Sequence, residues 1–176
     1  MMIGSHRIRT RDRSNAVTSP GSWPTLLLDV PLVGQRLSDE CWYASACMVA
    51  YFRAPGPRLG LPGKWKANKG ITPDDFVRLA QVEGLQKVRL PSGTHAVDKF
   101  GIYRWLLDHG PLWCAGYWYG VGHIIVLTGI AGDTIHFNDP DDQKGGDEGR
   151  RATESVAWFN EKLAWDVPGC LMFKPA

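Results

Sequence analysis

Apolar residues follow helical patterns in the first part of the chain and strand patterns in the second. Three helices are predicted: residues 41 to 53, whose run CWYASACMVAYFR is apolar and rich in alanine, residues 72 to 84, and residues 96 to 108. Ser38 or Asp39 is the expected cap of the first helix. The second helix begins with a capping Thr, a Pro and two acids, and it ends at a Gly.

After Pro111, short apolar runs separated by glycines predict strands. The expected strands cover residues 112 to 119, 123 to 130 and 134 to 138, and the last two form a hairpin. Because helices precede strands instead of alternating with them, the predicted fold class is α+β. The remaining expectations are an extended segment at residues 26 to 30, a short helix at 155 to 164, a strand at 170 to 173, and loops at 56 to 70 and 141 to 151.

Length and composition favour one domain with a single core and exclude several classes of function. The chain has 176 residues, of which 44% are hydrophobic. Twenty basic and eighteen acidic residues leave a net charge of +2, which is too balanced for nucleic acid or an anionic membrane as the main partner. No apolar run approaches the roughly 18 residues of a membrane span, and the N-terminus lacks the apolar stretch of a secretory signal.

The first 22 residues differ in composition from the rest of the chain. Arg7, Arg9, Arg11 and Arg13 alternate with polar or small residues, and Ser, Asn, Thr, Pro and Gly follow. This composition predicts a disordered basic arm before a domain of residues 23 to 176. A delivery signal, or a segment removed in maturation, is the alternative interpretation of the arm.

The four cysteines, Cys41, Cys47, Cys114 and Cys170, have neither the CxxC spacing nor another common zinc pattern. We therefore expect no metal site and no cofactor. An even number of cysteines permits two disulfides, but a core of this size needs none, and free thiols in a reducing compartment are the preferred interpretation.

Cys41 is the candidate nucleophile because it stands at the predicted start of a helix, after a polar segment. A free thiol has a pKa of about 8.5, and aligned backbone dipoles and a nearby imidazole favour the reactive thiolate. The alternative is a buried cysteine that packs as a small apolar residue. His123, which follows Gly120 and Gly122 at the start of a predicted strand, is the candidate base. His136, in the middle of the next strand, is the alternative.

Asp139 and Gln35 complete the candidate site. Asp139 follows the second strand of the hairpin, so the chain returns it toward His123 at the start of the first strand. Asn138 could orient a histidine equally well, and Asn-Asp-Pro is also an ordinary turn sequence. Gln35 could donate to an oxyanion together with the Cys41 backbone N–H. A surface glutamine in a loop is the alternative.

In this order, Gln35, Cys41-Trp42, Gly122-His123 and Asp139 resemble the papain-like cysteine proteases. The segments VPLVGQ, CWYAS, HIIVLTG and NDP resemble most closely a compact bacterial branch, which includes effector proteases of plant pathogens and bacteriocin-leader peptidases. The resemblance covers about residues 25 to 175. It departs from papain in having Asp139 where papain has Asn, and the arm before Trp23 has no counterpart.

The resemblance implies a helical half that holds Cys41, an antiparallel sheet half that holds His123 and Asp139, and an active site in the cleft between them. It implies a cysteine endopeptidase that forms an acyl-enzyme, with Gln35 in the oxyanion hole and with Trp42 and Gly122 against the substrate. The alternatives are another acyl-transfer enzyme of this fold, such as a deamidase, a transglutaminase-like enzyme or a peptidoglycan amidase, and a catalytically dead interaction module.

The biological expectations rest on the same resemblance. We expect a bacterial effector or toxin that acts on proteins or peptides, with an immunity or inhibitor protein as a candidate partner and with no nucleic acid or membrane partner. The expected location is the bacterial cytoplasm before delivery, followed by a target cell reached without a cleavable signal peptide. A housekeeping or leader-processing peptidase is the alternative role.

Overall fold

The computed structural model describes residues 25 to 58 and 60 to 176, so the basic arm expected at residues 1 to 22 lies outside it. Within the described residues, none of the helices is both long and apolar enough to cross a membrane. The helices are α1 (Cys41–Tyr51), α2 (Pro62–Lys66), α3 (Pro73–Glu83), α4 (Lys99–His109) and α5 (Val156–Lys162).

All paired strands run antiparallel in one sheet. The strands are β1 (Thr25–Leu27), β2 (Gln86–Lys87), β3 (Leu112–Gly116), β4 (His123–Ala131), β5 (Thr134–Asp139), β6 (Arg150–Ser155) and β7 (Leu171–Phe173). Their order across the sheet is β2, β7, β3, β4, β5 and β6, and β1 pairs with the end of β4. The helices together with this sheet confirm the predicted α+β class.

Helix α1 packs on the central strands β3 and β4, which explains why it is apolar on nearly every face. Hydrogen bonds also connect it to the sheet: the Trp113 indole donates to the Trp42 carbonyl at 3.1 Å, and the Ser45 hydroxyl donates to the Ile124 carbonyl at 3.4 Å. Trp42 and Trp113 are both fully buried. The position of Cys41 relative to β4 is therefore determined by core packing.

Capping residues determine where helices α3 and α4 begin and where α3 ends. Thr72 and Asp75 form a capping box at the start of α3, and Gly84 ends it with φ of 63°, a conformation that favours glycine. Helix α4 begins at Lys99, later than predicted, because the Asp98 side chain caps it by accepting from the Gly101 N–H at 2.7 Å.

Four sequence predictions need correction. Neither Ser38 nor Asp39 caps α1, since Glu40 occupies the cap position without a side-chain capping bond. The expected loop of residues 56 to 70 contains the short helix α2, which starts at a proline. The expected loop of residues 141 to 151 ends inside strand β6, and the first predicted strand stops at Gly116 instead of Tyr119.

Candidate active site

Cys41 is the first residue of α1, and its side chain is partly exposed. The preceding residue, Glu40, turns its carboxylate back along the chain and accepts the backbone N–H groups of Arg36 at 2.9 Å and Leu37 at 3.1 Å. These bonds hold the loop that leads into the helix. The N–H groups at the start of this 11-residue helix carry partial positive charge, which favours an anion beside them.

His123 and Asp139 meet where β4 begins and β5 ends. His123 Nε2 lies 2.7 Å from Asp139 Oδ1, the imidazole is 8% exposed and the carboxylate is fully buried. The strand register explains this contact. Val126 pairs with Asn138, which places Asp139 beside Ile125 and on the same face of the sheet as His123. The structure thus brings together the two residues that the hairpin prediction paired.

Cys41 lines the same pocket as His123, and its side chain acts on the pKa of the imidazole through hydrogen bonding and charge. Because Nε2 is bonded to Asp139, Nδ1 is the ring nitrogen left for the thiol. Burial alone would lower the pKa of His123, but Asp139 and Cys41 raise it to about 9. The imidazole is therefore protonated at neutral pH, next to the sulfur of Cys41.

Asp139 stays ionised although it is buried. Burial would raise the pKa of this carboxyl, whereas the hydrogen bond and charge of His123 and the hydrogen bond from Tyr119 hold it below its ordinary value. The backbone N–H of Asp141 also donates to Oδ1, at 3.0 Å. This carboxylate can accept a hydrogen bond from the protonated Nε2 of His123 and so hold the ring in one orientation.

The second carboxylate oxygen of Asp139 is bound by two residues that sequence reasoning missed. Tyr119 donates its hydroxyl to Oδ2 at 2.7 Å, and Arg150 donates Nη2 and Nε to the same oxygen at 3.2 and 3.3 Å. Arg150 pairs directly with Asp139 across β5 and β6, so the two side chains share a face of the sheet. A buried carboxylate needs more than one partner, but no motif in the sequence identifies Tyr119 or Arg150 as a partner of Asp139.

A pocket of about 490 Å³ opens beside Cys41 and His123. Part of its lining comes from the start of α1 and from α3, and another part comes from β3, β4 and the loop between them. Phe76 and Ile71 contribute apolar surface, and Tyr117 and Val121 are exposed residues of the β3–β4 loop. A volume of this size is within the range of protein ligand pockets.

Gln35 lines this pocket and is buried. Its Nε2 donates to the Ser38 carbonyl at 3.1 Å, and Oε1 has no hydrogen-bond partner. A carboxamide nitrogen carries two protons, so the bond to Ser38 leaves one for another acceptor. The backbone N–H of Gln35 donates to the Pro140 carbonyl at 2.8 Å, which connects this loop to the end of β5.

The two residues predicted to contact substrate occupy different positions. Trp42 lines the pocket, but its side chain is 0% exposed and its indole donates to the Lys69 carbonyl at 3.2 Å. Its place is therefore beneath the pocket surface, in the core. Gly122 lines the rim, and a Cβ added there would meet no atom within 4 Å, so the backbone at this position borders open space.

The alternative residues lie elsewhere. His136 lines a separate cavity with Arg151 and Thr153, and it does not line the pocket beside Cys41. Asn138 donates to the Val30 carbonyl at 3.3 Å, and it is Asp139 whose carboxylate contacts His123. The other three cysteines are buried and free, and burial raises the pKa of Cys47 to about 11. Within the described residues, no group of three or more His, Cys, Asp or Glu side chains is placed to hold a metal ion.

A comparison with models of known protein families matches residues 25 to 164 to Peptidase_C70, described as papain-like cysteine protease AvrRpt2. The match contains Gln35, Cys41, His123, Asp139 and Arg150. The chain belongs to this family. As a member of the papain-like AvrRpt2 family it is a cysteine protease, a hydrolase whose substrates are proteins. The resemblance to papain-like effector proteases inferred from the motifs is thereby confirmed.

Proposed function

We propose that this AvrRpt2 family protease is an endopeptidase with Cys41 as nucleophile, His123 as general acid and base, and Asp139 as the residue that orients His123. The contact that carries the proposal is the 2.7 Å bond between His123 Nε2 and Asp139 Oδ1, with Cys41 on the other side of the same imidazole. This order of nucleophile, base and orienting carboxylate is what thiol acyl transfer requires.

In the first half of the reaction, the Cys41 thiolate attacks the carbonyl carbon of the scissile peptide bond. The free N–H of the Gln35 amide and the backbone N–H of Cys41 donate to the oxyanion that forms. The His123 imidazolium gives its Nδ1 proton to the leaving amine as the C–N bond breaks. The new amino terminus departs, and the remaining half of the substrate is held as a thioester on Cys41.

In the second half, neutral His123 accepts a proton from water as the water oxygen attacks the thioester carbonyl. The tetrahedral intermediate collapses, the carboxylic acid product leaves, and Cys41 is released as a thiolate beside the protonated imidazole. Asp139 keeps the ring in place in both halves, since His123 must receive and return a proton at the same atom.

The 490 Å³ pocket is the proposed substrate cleft. Its two walls come from the helical part of the chain and from the sheet, and both Cys41 and His123 line it. Gly122 at the rim allows a peptide backbone to pass close to His123, because no side chain projects there. Trp42 supports the pocket from below instead of contacting substrate.

The experiment compares the protein with Cys41→Ala and Cys47→Ala variants on an unfolded proteome, with new amino termini identified by mass spectrometry. Cys47 is the matched control because it lies on the same helix but is buried. We expect the same cleavage sites from the unchanged protein and Cys47→Ala, and none above background from Cys41→Ala. Equal cleavage by Cys41→Ala refutes the proposal, and mass increases of about one dalton without cleavage would indicate a deamidase.

We propose in addition that the protease is a bacterial effector or toxin delivered into a target cell, where its protein substrates are found. The support is its membership of the AvrRpt2 family. An immunity or inhibitor protein in the producing bacterium is a candidate partner, since an active protease endangers its own cell. Tagged protein should appear inside target cells that are co-cultured with the producer, and its confinement to the producer would contradict this role.

A further inference from the structure

The Asp139 carboxylate has more partners than the orientation of one imidazole requires. Oδ1 accepts from His123 Nε2 and from the Asp141 N–H, and Oδ2 accepts from Tyr119 and Arg150. Tyr119 and Arg150 also bond to each other, because Arg150 Nη2 donates to the Tyr119 hydroxyl at 2.7 Å. Asp139, Tyr119 and Arg150 therefore form a closed ring of hydrogen bonds, which we call the aspartate clamp.

The clamp joins three separate elements of the fold. Asp139 ends β5, Arg150 begins β6, and Tyr119 comes from the loop between β3 and β4 that also carries His123 at its far end. The Arg150 guanidinium also lies over the Tyr119 ring, 5.5 Å from its centroid. Tyr119 and Arg150 each bond both to Asp139 Oδ2 and to one another. They therefore fix the position of this carboxylate oxygen without a contribution from His123.

The buried Asp139 carboxylate contacts two groups that can carry positive charge, Arg150 and His123. During turnover His123 alternates between imidazolium and neutral imidazole, and a fully buried carboxylate beside a neutral ring would be left without a counter-charge. Arg150 supplies a positive charge that does not titrate. A carboxylate shared with a guanidinium also attracts the imidazolium less than an isolated carboxylate would.

We propose that Tyr119 and Arg150 are positioning residues of the protease, which hold the Asp139 carboxylate and take up part of its charge, and so set the pH at which His123 loses its proton. This inference rests on the proposed roles of Cys41, His123 and Asp139. The other ionisable groups near the imidazole are Cys41 at the start of α1, and Asp39 and Asp141, which line the pocket. None of these three is changed in the test.

The experiment measures the His123 titration midpoint by NMR of the labelled imidazole, so that it does not depend on turnover. Arg150→Gln removes the guanidinium charge. Asp139 then interacts more strongly with the imidazolium, and the repulsion between the guanidinium and the imidazolium is lost. Both effects have the same sign, so the midpoint should rise by about 0.5 to 1 pH unit. Arg150→Lys, which restores the charge, should return the midpoint toward that of the unchanged protein.

Arg151→Gln is the matched control. Arg151 is the next residue on β6, it carries the same charge, and it points to the opposite face, where it donates to the Val30 carbonyl at 3.3 Å. Its loss should leave the His123 midpoint unchanged. A midpoint that stays constant or falls in Arg150→Gln, or that rises equally in Arg151→Gln, overturns the proposal.

Tyr119→Phe is the second variant, because it removes a donor to Asp139 without a change in charge or much change in volume. It should raise the midpoint by a smaller amount than Arg150→Gln and lower kcat about 10-fold with little effect on KM. An unchanged midpoint and kcat in this variant also contradict the proposal. If the midpoints move as expected but Cys41→Ala cleaves protein as the unchanged protein does, the proposed role of Cys41 fails while the clamp stands.

Discussion

The two sides of the site are built differently. The helix side consists of Gln35 and Cys41. The Cys41 side chain is partly exposed, and the Gln35 amide has an oxygen without a hydrogen-bond partner. On the sheet side, defined by His123, Asp139 and Arg150, the side chains bond to one another around a fully buried carboxylate. The helix side therefore keeps hydrogen-bonding groups free for a substrate, whereas the carboxylate on the sheet side is already hydrogen-bonded within the protein.

This difference implies that the two sides fail in different ways. Removal of a helix-side group takes away chemistry and leaves the fold intact, because few contacts of the folded protein depend on it. Removal of a sheet-side group leaves a buried charge without its partner, so it changes the pH dependence and the stability as well as the rate. Three substitutions test this contrast, in order of decreasing effect on the rate, and a prediction on stability follows.

The largest effect is expected from His123→Ala. Without the base, Cys41 has no partner for its proton and the leaving amine receives none, so kcat/KM should fall by at least about 10,000-fold. His136→Ala is the control, since His136 lies in a different cavity and should leave kcat/KM within about twofold. Initial rates with a cleavable peptide measure both. A similar loss in the two variants would mean that His123 has been assigned the wrong role.

Gln35→Ala tests the helix side. Loss of one oxyanion donor should lower kcat by about 100- to 1,000-fold, with KM and the free energy of unfolding nearly unchanged. Gln81→Ala, an exposed position of α3, serves as the control for loss of an amide. Kinetics combined with urea unfolding separate the two quantities. A kcat within threefold of the unchanged protein would remove Gln35 from the mechanism.

Asp139→Asn tests the sheet side. The amide can still accept from His123, but it no longer balances Arg150, so kcat should fall by about 10- to 100-fold and stability by about 3 kcal/mol. The alkaline limit of activity should move to lower pH, because the carboxylate contributes to the raised pKa of His123. Arg150→Gln added to Asp139→Asn should recover part of the stability. Losses that simply add would show that the two residues do not interact.

The last prediction concerns the free energy of unfolding as a function of pH and not the rate. The folded pKa of His123, about 9, exceeds the ordinary value of 6.5, so its contribution is fully present below about pH 6.5 and is lost as pH rises toward 9. The loss should be on the order of 3 kcal/mol, since one pKa unit corresponds to about 1.4 kcal/mol. Urea unfolding from pH 6 to 9.5 measures it. His123→Ala should lack this component, and an identical pH profile in that variant would contradict the account.

The contacts that sequence could predict are those carried by apolar patterns and turn chemistry. The run from Cys41 to Tyr51 has the composition of a buried helix, and the hairpin of β4 and β5 brings Asp139 back to His123 whatever its exact length. Both features depend on local signals. The order of Cys41, His123 and Asp139 along the chain then sufficed to place them in one site.

The clamp could not be predicted because β6 has no strand signal. Its sequence RRATES is polar, and it sits at the edge of the sheet with most residues exposed, so neither apolar alternation nor β-branched enrichment indicates a strand. Only the backbone register places Arg150 opposite Asp139. Helix α2 was missed for a similar reason, since five residues of Pro, Gly, Lys and Trp lack a helical period.

Covalent capture of the nucleophile tests the central claim most directly. The protein is incubated with a peptidyl epoxide, and intact mass followed by peptide mapping locates the adduct. If Cys41 is activated by His123, one adduct should form on Cys41, with none on the buried Cys47, Cys114 and Cys170, and the same reaction should be at least about 100-fold slower in His123→Ala. Equal rates in the unchanged protein and in His123→Ala, or no adduct on Cys41, would contradict the account.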